Sequence, residues 1–260
     1  MSSTLKDSAR PPGAPMPSKR RDQLFAESLG AVEKFIFDDR VAEVFPDMIS
    51  RSVPGYQSII QHCGDLAERF VRADSNCYDL GCSLGATSLA IAKTVTASNT
   101  KIIAIDNAPA MLSRCRAAIE HFKPALPITL IEGDICDAAI ENASMVVLNF
   151  TLQFVDPNKR SALLANIYRG LNHGGCLVIS EKIRIQPAPL DALMVDLHHQ
   201  FKRAQGYSDL EISQKREAIE DVLIPETREQ HIDRLQSVGF ESATIWFQCY
   251  NFCSLVAIKG

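Results

Sequence analysis

The sequence lacks a disulfide or metal-binding frame, although it holds residues from which either could be built. Its eight cysteines run from Cys63 to Cys253 without a C-x-x-C pair. A chain of 260 residues can bury a core that needs no covalent staple. Several of these cysteines sit in apolar runs, where the thiol acts as a small hydrophobe and is expected to stay reduced. The six histidines show no ligand spacing; His198 and His199 are adjacent, and neighbours on a helix point apart. No metal site is expected. No stretch approaches the roughly 18 apolar residues of a membrane helix, and the N-terminus has no apolar signal core. A cytoplasmic protein without membrane contact is the expectation.

Clustered positive charge is also scarce outside the first residues. Lys and Arg total 27 against 31 Asp and Glu, a formal charge of −4. Residues 1–21 carry +4, and the remainder is therefore −8. A body that acidic cannot grip a phosphate backbone through clustered cations, so direct nucleic-acid binding is disfavoured. Four of the 13 prolines also fall in residues 1–21. Residues 1–22 therefore read as a flexible Pro-rich basic tail. Residues 23–260 read as one α/β domain.

Within that body, short apolar runs alternate with helical stretches. Asn76–Leu80, Lys101–Ile105, Ile128–Ile131, Ser144–Leu148 and Cys176–Ser180 suit strands covered on both faces. Residues 86–94 and 108–122 suit helices, the second opening beside Pro109. Repeated β-α-β units imply a doubly wound, mostly parallel sheet, here expected to have seven strands. Residues 243–249 and 252–259 predict a C-terminal antiparallel hairpin. That plan resembles the class I S-adenosylmethionine-dependent methyltransferases, a Rossmann-like fold.

Asp79-Leu80-Gly81-Cys82-Ser83-Leu84-Gly85 carries the first strand into a helix, a turn that brings backbone N–H groups to a ligand. It is not the dinucleotide fingerprint, because Ser83 and Ala86 stand where glycines would be needed. A nicotinamide dehydrogenase would also want an acid–base set that the sequence does not show. Asp106 ends the second strand, where a carboxylate can accept from ribose hydroxyls. Asp134 and Ile135 follow the third strand and suit an adenine amine and ring face; Asn149 ends the fourth. Asp79 fits an acid reaching toward the methionine amine. Ligands in such sheets bind off the carboxyl ends of the strands, which is where these positions fall.

An insertion at about 186–225 separates the fifth strand from the hairpin. Leu190, Leu193, Met194 and Leu197 keep helical spacing, and Ser208 with Glu211 reads as a capping box. On the helix that follows, Arg216 falls between Ile212 and Ile219, in the apolar stripe. A guanidinium there either finds an acid such as Glu220, or snorkels, or receives an anionic ligand.

The run Phe37-Asp38-Asp39-Arg40-Val41-Ala42-Glu43-Val44-Phe45-Pro46-Asp47-Met48 and the run Arg51-Ser52-Val53-Pro54-Gly55-Tyr56 resemble the carboxy-S-adenosyl-L-methionine synthase family. So do Tyr78–Gly85, Ile103–Asn107, Glu141–Phe154 and Glu211–Arg216, and the likeness extends from about residue 35 to the end. The resemblance implies an enzyme that carboxylates the S-methyl of S-adenosyl-L-methionine with prephenate, releasing phenylpyruvate. Its product would supply a tRNA carboxymethyltransferase that modifies a wobble uridine. The resemblance further implies a homodimer and ligand contacts at Tyr56, Gly81, Cys82, Ser83, Asp106, Asn107, Asp134, Ile135, Asn149 and Arg216. It assigns the new carboxylate to Arg216, with Tyr56 as a further catalytic candidate. An ordinary methyltransferase and a non-catalytic carrier of either cofactor form are the alternatives.

Overall fold

A computed structural model describes residues 21–29 and 34–260. Its centre is one sheet in the order β3-β2-β1-β4-β5-β8-β7. The strands on this path are β1 (Asn76–Leu80), β2 (Lys101–Asp106), β3 (Ile128–Glu132), β4 (Ala143–Asn149), β5 (Leu171–Arg184), β7 (Ser242–Cys249) and β8 (Phe252–Ile258). The first five pair in parallel, while β8 runs antiparallel to both β5 and β7. To the expected seven the structure adds β6 (Glu226–Thr227), two residues paired with the end of β5.

Both faces of the sheet are covered, as the apolar runs require. Met145 and Val147 face one layer with Ile59, Cys63 and Ala67 of α2 (Tyr56–Phe70) and Ile91 of α3 (Ala86–Thr94). Val146 and Leu148 face the other, with Leu163, Leu164 and Ile167 of α5 (Pro157–Gly170) and Leu235 of α8 (Arg228–Ser237). This two-residue alternation is the pleat itself. All eight cysteines are free, and six are buried. Burial pushes the Cys176 thiol up to about 12, so it packs as a hydrophobe rather than reacting.

Two further helices, α1 (Asp39–Ser52) and α4 (Pro109–Phe122), share an apolar cluster that includes Val44, Met48 and Met111. The insertion forms α6 (Ala188–Ala204) and α7 (Asp209–Ile219). The Ser208–Glu211 capping box is present at the start of α7. Of the stretch 1–22, residues 1–20 lie outside the described residues. Asp22 is 1% exposed and belongs to the folded body. Its carboxylate accepts from the Tyr207 hydroxyl at 2.5 Å and lies 3.8 Å from Lys215 Nζ.

One buried guanidinium joins the insertion to the sheet. Arg160 is 0% exposed; its Nη2 donates to the carbonyls of Gln153 (3.2 Å) and Ile224 (2.9 Å), and Nε donates to Val155 (3.0 Å). Its Nη1 lies 2.8 Å from Glu226 Oε2, and Arg234 also hydrogen-bonds that carboxylate. Burial pushes the Glu226 carboxyl up, but the two guanidinium partners prevail and hold it at about 2. Removing one partner of a buried pair costs about 3–5 kcal/mol when the other charge is stranded, and the lower end, about 3 kcal/mol, applies here because Arg234 keeps Glu226 paired. Arg160→Met is therefore expected to lower unfolding free energy by about that amount in urea titration. Because the Glu226 carboxyl is depressed, its contribution is full above the unfolded value of 4.5 and lost as pH falls toward about 2. The deficit of Arg160→Met should shrink in that window.

Candidate functional site

The carboxyl ends of the strands open into a cavity of about 480 Å³. Its walls include Tyr56, Gly81, Cys82, Ser83, Asp106, Asn107, Asp134, Ile135, Asn149 and Arg216. All ten ligand contacts that the family resemblance implies thus line one space. The cause is topological. The chain winds from β1 outward to β3 and then returns to β4 on the other side of β1, so the loops after β1 and β4 diverge and leave a crevice.

Each wall is held locally. Gly81 turns the chain at φ +80°, and a Cβ there would strike Thr151. The N–H groups of Gly81 and Cys82 both donate to the Ile105 carbonyl, at 2.8 and 3.0 Å. Asp106 accepts from Ser83 N–H through Oδ2 (2.8 Å) and from Ala108 N–H through Oδ1 (2.9 Å). Burial raises this carboxyl, opposed by those backbone donors. Each oxygen is oriented and retains a lone pair for a ribose hydroxyl. Asp134 caps the short turn Ile135–Asp137 by accepting from Cys136 N–H at 2.8 Å, which leaves Oδ2 for an exocyclic amine.

Asn149 donates to Thr87 Oγ1 at 3.1 Å, while its Oδ1 is buried with no donor among the described residues. An unmatched buried acceptor on a cavity wall fits the ammonium end of an amino-acid ligand. Asp79 does not line the cavity; it lies 1% exposed behind the turn and accepts from Ser88 Oγ at 2.6 Å. Burial pushes its carboxyl up to about 6. Burial, reinforced by the Asp79 charge, raises the Tyr56 phenol as well. Tyr56 is therefore a hydrogen-bond donor at neutral pH and a poor base.

Arg216 departs from the expected placement. The buried residues of α7 are Ile212, Gln214, Lys215 and Ala218, and Arg216 itself is solvent-exposed while also lining the cavity. The centre of the stripe falls on Lys215, three residues after Ile212. Arg216 lies one step further round the helix, at the edge facing the cavity. Among the described residues no acid forms an ion pair with it, Glu220 included.

The comparisons with known proteins agree with this geometry. A methyltransferase-domain family model matches residues 78–175. A putative S-adenosyl-L-methionine-dependent methyltransferase from Methanococcus maripaludis aligns with TM-score 0.57 at 22% identity, over 88% of this chain and 96% of that one. Human N-acetylserotonin methyltransferase aligns with TM-score 0.56 at 19% identity, over 85% and 55%. These likenesses fix the fold. The carboxy-S-adenosyl-L-methionine synthase of Escherichia coli strain K12 is 56% identical over 240 residues, 92% of this chain and 97% of that protein. The chain belongs to the carboxy-S-adenosyl-L-methionine synthase family.

Reasoning from sequence missed part of this synthase-family cavity. Lys182, His198, His199, Lys202 and Lys215 also line it, as do Phe35, Phe37 and Phe45 from the N-terminal segment. On α6 the expected apolar stripe is misplaced: Leu190 and Leu193 are 46% and 48% exposed, whereas His198 and Lys202 are buried. The usable signal was the spacing of Val195, His198, His199 and Lys202, which forms one helical face.

For Asp106→Asn the structure sets a clear expectation. The amide keeps the size but replaces one oriented acceptor with a donor. Hydrogen bonds to a charged group contribute about 1.5–3 kcal/mol, so S-adenosyl-L-methionine affinity should fall about 10- to 100-fold. Isothermal titration calorimetry measures this, with circular dichroism as the control for folding.

Proposed function

We propose that the chain converts S-adenosyl-L-methionine and prephenate into carboxy-S-adenosyl-L-methionine and phenylpyruvate. Membership of the synthase family supports the product, and one observation favours it over plain methyl transfer. Arg216, a cation with no acidic partner among the described residues, lines the cavity that holds the adenosine-binding positions. A methyl donor already carries a sulfonium and gains nothing from a second cation. A product carrying a new carboxylate does, because a guanidinium fork can hold it through two parallel hydrogen bonds.

In this reading Asp106 holds the ribose, Asp134 and Ile135 hold the adenine, and Gly81, Cys82, Ser83 and Asn107 form the wall between. Asn149 Oδ1 accepts from the ammonium group, and Tyr56 donates to the bound substrate. Prephenate aromatises by losing its ring carboxylate as CO2 and its hydroxyl as hydroxide. Hydroxide takes a proton from the S-methyl, whose acidity the sulfonium raises, and leaves as water. The methyl carbon, keeping the electron pair, bonds to CO2, and the new carboxylate meets Arg216. The cavity residues orient the partners and keep out the water that would compete. No side-chain nucleophile is required.

The same reading places the enzyme in the cytoplasm as a homodimer whose product passes to a tRNA-modifying carboxymethyltransferase. The exposed Leu190 and Leu193 on α6 support a partner copy at that helix.

Mass spectrometry after incubation with both substrates tests the activity. A cofactor heavier by one CO2 is expected, and its absence with active, folded protein would exclude the reading. Arg216→Ala is expected to bind S-adenosyl-L-methionine as before while losing at least about tenfold in affinity for the carboxylated form. Arg216→Lys should restore only part of the difference.

A further inference from the structure

The cavity wall opposite the ribose carries far more positive charge than Arg216 alone. Lys182 projects from the end of β5, His199 and Lys202 from one face of α6, and Lys215 and Arg216 from α7. All five line the same space. They act on one another. Lys202 feels Lys182 and Lys215, and His199 feels Lys182, Lys202, Arg203 and Arg216. Lys182 feels Arg216. The acids that face them are few and already engaged. Asp22 lies 3.8 Å from Lys215 and also accepts from Tyr207. Asp191 attracts Lys182, but its Oδ1 accepts from Ile185 N–H at 2.8 Å. Asp47, near Lys215, is paired to Arg51 at 3.0 Å.

S-adenosyl-L-methionine cannot balance this wall. Its sulfonium and ammonium against one carboxylate leave it cationic, so by itself it would be repelled from that side. A wall of this composition favours an anion bound between the donor and the cations, and its several separate donors suit more than one carboxylate.

We infer that Lys182, His199 and Lys202, beside Arg216, form a receptor for a second substrate bearing two carboxylates. The inference rests on the two-substrate reading of the cavity and names the residues that recognise the second partner. Burial, then Lys215 and Lys182, bring the Lys202 ammonium down to about 7, with Asp22 opposing. Burial and its cationic neighbours lower His199 as well. Near neutral pH Lys202 in the empty receptor is thus partly deprotonated, and an arriving dianion raises it and draws protons from solution. Dianion binding and proton uptake are coupled.

Two measurements test this on the full chain loaded with S-adenosylhomocysteine, which has no methyl to react. In calorimetry with phenylsuccinate, a stable dicarboxylate, the observed heat should vary with the ionisation enthalpy of the buffer, with the sign of proton uptake. Phenylpyruvate, with one carboxylate, should bind at least about tenfold more weakly. Lys202→Met should weaken phenylsuccinate and raise the KM for prephenate about 10- to 100-fold, reduce proton uptake and leave S-adenosylhomocysteine affinity unchanged. Should Lys202→Met fail to fold, Lys182→Gln on the half-exposed end of β5 carries the same expectation for phenylsuccinate and prephenate. Wild-type carboxylation of the cofactor with no change of prephenate KM in the variants would overturn the receptor. Lysine-dependent phenylsuccinate binding without carboxylation would instead leave the receptor and overturn the activity. Loss of neither affinity would overturn the receptor outright.

Discussion

Everything at the site depends on the reversal of strand order at β1. Outward winding places Asp106 and Asp134 on one side of that strand, and the return to β4 places Asn149 on the other. Only there do successive strand ends diverge enough to admit a ligand rather than close on each other. The register is tight: β1 pairs residue for residue with β2, Asn76 opposite Lys101 through Leu80 opposite Ile105. The Ile105 carbonyl is then free to take two N–H groups from the turn after β1. The cavity is therefore a consequence of sheet geometry, and the Asp106 and Asp134 carboxylates on its wall are oriented by backbone N–H groups.

The opposite wall is built on different terms. Apart from Lys182 on β5 it comes from the insertion, whose helices have no sheet pairing to fix them, and it carries cations where the other wall carries carboxylates. Arg160 resolves the mechanical problem by tying the carbonyls of Gln153 and Val155, in the loop after β4, to that of Ile224 at the end of the insertion. Glu226 neutralises it through a contact at 2.8 Å, and β6, where Glu226 sits, is pinned to β5. A two-residue strand would be of little consequence elsewhere. Here it fixes the counter-ion of the residue that holds the two walls in register.

Most of the sheet wall was legible from residue pattern, and most of the charged wall was not. Strand runs such as Asn76–Leu80 announce themselves because both faces are buried and both must be apolar. The fifth strand was legible only at Cys176–Ser180, although it spans Leu171–Arg184. Its polar start, Asn172-His173-Gly174-Gly175, has no strand signature, and its far end continues as a strand by pairing with β8 and β6. On α6 and α7 the failure has another cause. Hydrophobic periodicity finds the face turned toward a core, but these helices turn a basic face to a ligand cavity and leave leucines exposed. Residue spacing also cannot separate i+3 from i+4, so Lys215 and Arg216 fit the stripe equally well until the structure separates them.

That one-step difference in phase has chemical content. Lys215 is buried, donates to Ser52 Oγ at 3.0 Å and sits near Asp22, so its charge is spent within the protein. Arg216, one residue on, lines the cavity with no acid paired to it among the described residues. A lysine at 216 would be a flexible, strongly hydrated point charge that could turn to water, whereas guanidinium stays charged and presents a planar pair of donors. Burial and neighbouring cations lower Lys182 and Lys202, so an amine in that company holds its proton less firmly than in water. Only a side chain that cannot deprotonate keeps a full charge in that company. Burial, with the neighbouring cations second, thus accounts for the softness of the lysines, and in the proposed reaction an arginine suits the position at which the new carboxylate would be held.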